Sequence, residues 1–132
     1  MNKTNKIYLS IGLGVVTLWD TITTIYGTHT IAGDGAAQLL ISVGFGIGFS
    51  IVLIRTLPII KNPKEDFFVV SAKLMWGLVL LYDLYTAFLG NYNLLLTTVY
   101  DTPKIIIAVG LTIFTCYSPI YLSKLIYDTS DE

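Results

Sequence analysis

The chain has 132 residues, a formal net charge of -1, and 13% charged against 54% hydrophobic residues. Soluble domains carry about 25% charged residues, so water is a poor solvent for much of this surface, and the absence of a basic run excludes a nucleic-acid partner. One cysteine, Cys116, and one histidine, His29, exclude an intramolecular disulfide, an all-cysteine metal site and a multi-histidine site within one chain.

A polar start holding Lys3 and Lys6 precedes the first apolar run, over 7–27. Twenty-one residues at 1.5 Å rise cover the thickness of a hydrocarbon core, about 30 Å. The rival reading of this run is a signal peptide, but it exceeds the usual apolar length and carries Asp20. A short loop with Gly33, Asp34 and Gly35 leads into a second span over 36–57. Gly44 and Gly48 form a GxxxG there, a pattern that lets a neighbouring helix approach closely. Two prolines and four charges between 58 and 66 predict a hydrated turn. The third span covers 67–90. A less polar stretch, with Leu94, Leu96 and Val99, is expected to lie in the membrane interface before a fourth span over 103–125. Pro119 inside that span predicts a kink.

Lys3, Lys6, Arg55, Lys61, Lys64 and Lys124 gather on one side, with Lys73 close by, and Lys104 stands alone on the other. The positive-inside rule then places both termini in the cytoplasm. A short polytopic chain of this kind suits a bacterial inner membrane.

The first and third spans align at an offset of 63, with Gly14/Gly77, Asp20/Asp83, Thr23/Thr86 and Gly27/Gly90 as identities. The second and fourth align at an offset of 66, through Gly44/Gly110 and others. The expected fold is therefore all-α and integral to the membrane, a single domain of four transmembrane helices. They form two tandem parallel-repeat hairpins, over about 7–57 and 70–125, related by a pseudo-two-fold along the membrane normal. Gly14, Gly77, Gly44, Gly48 and Gly110 are the expected helix-packing positions.

The chemistry-bearing candidates are the two acids. Val16, Thr17, Asp20, Thr23, Thr24 and Gly27 share one helix face, matched by Val79, Leu80, Asp83, Thr86, Ala87 and Gly90. A carboxyl at the centre of a spanning helix costs about 2.5–3.5 kcal/mol to insert, so it is expected to face the bundle interior. Two such groups across a pseudo-dyad can share a proton or hold a cation, with Thr23, Thr24 and Thr86 as supporting oxygens. Lys104 is an alternative ion-pair partner for Asp83. His29 reads as a solvated loop residue, Cys116 as a small apolar packing residue, and Lys73 as a lysine that snorkels to the surface.

These features lead to the expectation of a small homo-oligomeric channel or transporter for protons or small cations, in contact with the lipid bilayer and with no cofactor. The alternative is a non-catalytic membrane subunit or scaffold, bound to a membrane protein partner, or a holin-like membrane-perturbing effector. In that case the aspartates hold helices together. An enzyme is not expected, since no nucleophile–base constellation is present. Two known classes of small membrane protein differ in their arrangement. Rotor-ring proteolipids place the glycine run before the acid-bearing helix, the reverse of the order here, and small multidrug transporters carry one unrepeated glutamate.

Overall fold

The computed structural model describes residues 3–95 and 100–128, almost entirely helical and without a strand among them. The elements are α1 (Lys3–Ala32), α2 (Ala36–Ile54), the short α3 (Thr56–Ile60), α4 (Phe67–Gly90) and α5 (Asp101–Asp128). A π-helical turn, Asn91–Leu95, extends α4. Four helices are long and apolar enough to cross a membrane, with spans at Thr4–Ala32, Ala36–Ile54, Phe67–Leu94 and Asp101–Ile126. Leu96 and Val99, expected at the interface, lie outside the described residues.

The four spans agree with the apolar runs in the sequence, and the differences lie at their ends. α1 continues past Gly27 to Ala32 and is closed by Gly33, whose φ of 95° is a conformation that costs glycine little. The Gly33 N–H donates to the His29 carbonyl at 2.9 Å, in the manner of a glycine C-cap. His29 therefore lies in the last turn of α1 and not in a loop, with its Nδ1 3.8 Å from Oδ1 of the exposed Asp34.

The second span stops at Ile54 instead of residue 57. Proline lacks an N–H and its ring crowds the carbonyl four residues earlier, which for Pro58 is Ile54. The chain breaks at Arg55 and restarts as α3, with Pro58 in its first turn, where no N–H partner is required. The turn that follows is clasped from α4. Asp66 caps α4 by accepting from the Val69 N–H at 2.9 Å. Lys73 Nζ reaches back to the Asn62 carbonyl at 3.0 Å, and Trp76 Nε1 donates to Thr56 Oγ1 at 3.0 Å.

At its other end, the third span does not give way to a loop at Asn91. Asn91 opens the π-helical turn and is fully buried. It accepts from Trp19 Nε1 at 3.2 Å and donates from Nδ2 to Thr112 Oγ1 at 3.2 Å, joining α1, α4 and α5.

The partition of side chains is the reverse of a water-soluble core. Large apolar groups such as Leu18, Leu40, Leu78, Ile106 and Ile113 are exposed, while Asp20, Asp83, Thr24, Ser42, Asn91 and Thr112 are buried. Hydrocarbon accepts the first set at no cost, and the second must find partners inside. α1 packs extensively against α2, α4 and α5, so the acid of the first span lies in the middle of the bundle.

Candidate acid site between the first and third spans

α1 and α4 meet through small residues. A Cβ added at Gly27 would collide with the Thr86 backbone, and one added at Gly90 would collide with the Thr23 backbone. Each helix thus presents a threonine to the other's glycine. Thr23 and Gly27 are four residues apart, as are Thr86 and Gly90, so both helices carry a small-xxx-small pair at the crossing. The threonine hydroxyls turn back onto their own helices. Thr23 Oγ1 donates to the carbonyls of Trp19 and Asp20 at 3.2 and 3.0 Å, and Thr86 Oγ1 to those of Tyr82 and Asp83 at 3.0 and 3.2 Å. With their hydroxyls satisfied locally, they offer a slim surface to the opposite helix.

The polar contacts flanking the crossing come in matched pairs. Trp19 Nε1 donates to Asn91 Oδ1, and Tyr82 Oη donates to Thr28 Oγ1 at 3.4 Å. Trp19 with Tyr82, and Thr28 with Asn91, are both 63 residues apart, as are Thr23 with Thr86 and Gly27 with Gly90.

One turn from the crossing lie the two acids, Asp20 at 0% and Asp83 at 1% exposure. They face the interior and each other. One carboxylate oxygen of each, and Cys116 Sγ from α5, lie within 4.8 Å of one another. Thr24 Oγ1 donates to Asp83 Oδ1 at 2.7 Å, and Cys116 Sγ lies 3.4 Å from Asp83 Oδ2 and 3.5 Å from Asp20 Oδ1. Asp20 Oδ2 is buried and has no hydrogen-bond partner among the described residues. The residue matching Thr24 on α4 is Ala87, fully buried and without a hydroxyl, so the two acids are not equivalent.

Thr24 is therefore the one expected supporting hydroxyl that reaches a carboxylate, while Thr23 and Thr86 build the helix crossing. Lys104 does not pair with Asp83. Its Nζ sits 4.0 Å from the centre of the Tyr92 ring, a cation–π contact. Cys116 marks the level of the acids on α5, and Lys104 is 12 residues away, about 18 Å of helix rise. The expected packing glycines also need correction within the chain. Gly14, Gly44, Gly48, Gly77 and Gly110 have open space where a Cβ would stand, and the close approaches are made by Gly27, Gly90 and Gly46, the last against Ile25 and Thr21. The fixed faces of the helices explain this: Gly46 lies on the buried face of α2, between Gly44 and Gly48, which do not.

Cys116 is the site residue that sequence reasoning missed. It sits in an apolar stretch with no second cysteine or histidine nearby, and only the packing of α5 against α1 and α4 brings its sulfur to both acids. The crossing itself had a signal, the Thr-x-x-x-Gly repeated at Thr23 and Thr86 on the same face as the acids.

Two ionised carboxylates at the separation seen here repel by roughly 3–4 kcal/mol at an effective dielectric of 20. Among the described residues neither acid has a lysine or arginine partner. The arrangement can therefore share a proton or take up a cation. No protein family, curated protein or solved structure matches the chain.

Proposed function

We propose that this chain is a small membrane channel or transporter that binds a proton or small cation at the Asp20–Asp83 pair. The observation that carries this reading is a pair of fully buried carboxylates facing each other without a basic partner among the described residues. Intramembrane acids in such positions characteristically mark ion pathways and proton relays. The matched contacts around the Thr–Gly crossing support two tandem copies of one hairpin, related by a pseudo-two-fold along the membrane normal. The excess of lysines at the end holding the termini and the 58–66 turn supports a cytoplasmic location for that end.

A route toward the pair is suggested from the same end. A cavity of about 390 Å³ is bordered by Leu13 on α1, Arg55 beyond α2 and Ser123 on α5. Leu13 precedes Asp20, and Ser123 follows Cys116, by seven residues, about 10 Å of helix. Between them Thr17 holds a buried hydroxyl with no partner among the described residues, one turn below Asp20.

The test is flux into liposomes containing the purified protein. Proton or cation uptake is expected, falling about 10-fold or more in Asp20→Asn and Asp83→Asn, the scale of losing a charge-assisted contact. Unchanged uptake in the double variant removes the acids from the mechanism. One observation favours the second reading, a non-conducting scaffold: both acids are closed off by Thr24, Cys116 and the helix crossing. On that reading the wild type conducts nothing, and the double variant loses its folded or assembled state.

A further inference from the structure

We propose that Asp20, Asp83 and Cys116 form a three-ligand site for a divalent transition-metal ion of the zinc class, one carboxylate each from α1 and α4 and one thiolate from α5. The inference rests on the reading that the acid pair takes a cation, and it names that cation's class.

Three observations converge on it. The first is the donor set. Two carboxylates and a thiolate carry three negative charges, which a divalent ion reduces to one and a monovalent ion only to two, and the sulfur selects a borderline-soft metal over calcium or magnesium, which take oxygen ligands alone. The second is the spacing. Zinc binds sulfur at about 2.3 Å and carboxylate oxygen at about 2.0–2.2 Å in a tetrahedral arrangement, so the sulfur–oxygen edges of such a site measure about 3.5–3.7 Å. The edges here are 3.5 Å to Asp20 and 3.4 Å to Asp83. The sulfur is thus already at coordinating separation from both oxygens, and all three atoms lie within 4.8 Å of one another. The third is the unused capacity. Asp20 belongs to a fully buried side chain in this cluster, and its Oδ2 has no partner among the described residues; the Thr17 hydroxyl one turn away is likewise unpartnered.

Thr24 acts as the supporting contact. By donating to Asp83 Oδ1 it fixes the carboxylate with Oδ2 turned to Cys116, which is how hydrogen bonds around a metal site orient its ligands. Three protein ligands leave a fourth position open, the arrangement of a site that exchanges its ion or binds water. Coordination breaks the Cys116 S–H bond, and the proton leaves to solvent, since a coordinating thiol is deprotonated.

Cobalt(II), added to untagged protein in detergent, is the probe. One equivalent per chain is expected to bind, with sulfur-to-cobalt charge-transfer absorption, and zinc is expected to displace it. Cys116→Ser is expected to abolish the charge-transfer band, and Asp20→Asn or Asp83→Asn to weaken binding more than 100-fold. Thr24→Val is expected to weaken it about 10- to 100-fold. His29→Ala, at the His29–Asp34 pair, is expected to keep the band. Circular dichroism confirms folding of each variant, and Cys116→Ser decides the matter if the aspartate variants do not fold. A wild-type protein with no stoichiometric cobalt, or with a spectrum unchanged by Cys116→Ser, overturns the inference. If acid-dependent proton uptake persists in chelator-treated liposomes while no cobalt binds, the metal site is wrong and the transport reading stands. If cobalt binds as described and no flux occurs, the metal site stands and the transport reading is wrong.

Discussion

Thr24 donates to Asp83 across 2.7 Å, while the position on α4 that matches Thr24, 63 residues on, is the buried Ala87. One acid is held by a hydroxyl from the opposite helix, and the other keeps an oxygen without a partner among the described residues. This asymmetry within an otherwise matched crossing puts the two carboxyls in different surroundings, with Asp83 held by a hydroxyl and Asp20 Oδ2 without a partner among the described residues.

The first prediction follows from that difference. Thr24→Val removes the hydroxyl at nearly constant volume and is expected to lower stability by about 0.6–1.7 kcal/mol, the range for hydrogen bonds in membrane bundles. Ala87→Ser supplies the missing donor beside Asp20 and is expected to raise stability by a similar amount. Reversible unfolding in mixed micelles measures both. A destabilising Ala87→Ser would mean that Asp20 Oδ2 lies out of reach of position 87.

The helix crossing makes a second. Gly27→Ala and Gly90→Ala force a methyl into the opposite backbone and are expected to cost about 1–3 kcal/mol or more, as overpacking does. Gly14→Ala and Gly77→Ala enter open space, and the better helix propensity of alanine predicts no loss. The same unfolding assay applied to all four variants checks the contrast, and equal effects would place the crossing elsewhere.

A third concerns Asn91, which joins three helices through Trp19 and Thr112. Asn91→Ala leaves the Trp19 Nε1–H without its acceptor and takes one donor from Thr112 Oγ1, which still donates to the Ala108 carbonyl at 2.7 Å; the expected cost is about 1–3 kcal/mol, that of one buried polar group left unsatisfied. Trp19→Phe removes one of these contacts and is expected to cost less. In a double-mutant cycle the pair should be coupled, whereas additive effects would place Asn91 away from Trp19.

Lys104 supplies a negative prediction. Being about 18 Å along α5 from the level of the acids and seated on Tyr92, it is expected to leave both flux and cobalt binding unchanged when replaced as Lys104→Gln. A fall in either to the level of the aspartate variants would put the lysine at the acid site.

The number and approximate limits of the spans were legible because about 20 apolar residues in a row have few other uses. The inward direction of the acids was legible too, since hydrocarbon penalises any other choice for Asp20 and Asp83. What the sequence did not reveal depends on where helices cross. Gly44 and Gly48 carry the familiar spacing yet stand in open space, while Gly27 and Gly90 mark the contact, because a close approach requires a glycine at the crossing point and not merely on a helix. Cys116 was hidden for the same reason: its neighbours in sequence are apolar, and its partners arrive from α1 and α4. The break at Arg55 was set locally, by the Pro58 ring, whereas the burial of Asn91 was set by packing, through partners on α1 and α5 that are distant in sequence.

The most direct test of the account is the proximity of the two carboxyls in a bilayer, read by solid-state NMR on protein carrying carbon-13 at the aspartate side-chain carboxyls. A cross-peak between Asp20 and Asp83 is expected, and it should vanish in Asp20→Asn and in Asp83→Asn. Absence of that cross-peak in the wild type, with both carboxyl signals instead correlated to lipid acyl chains, would contradict a shared interior site.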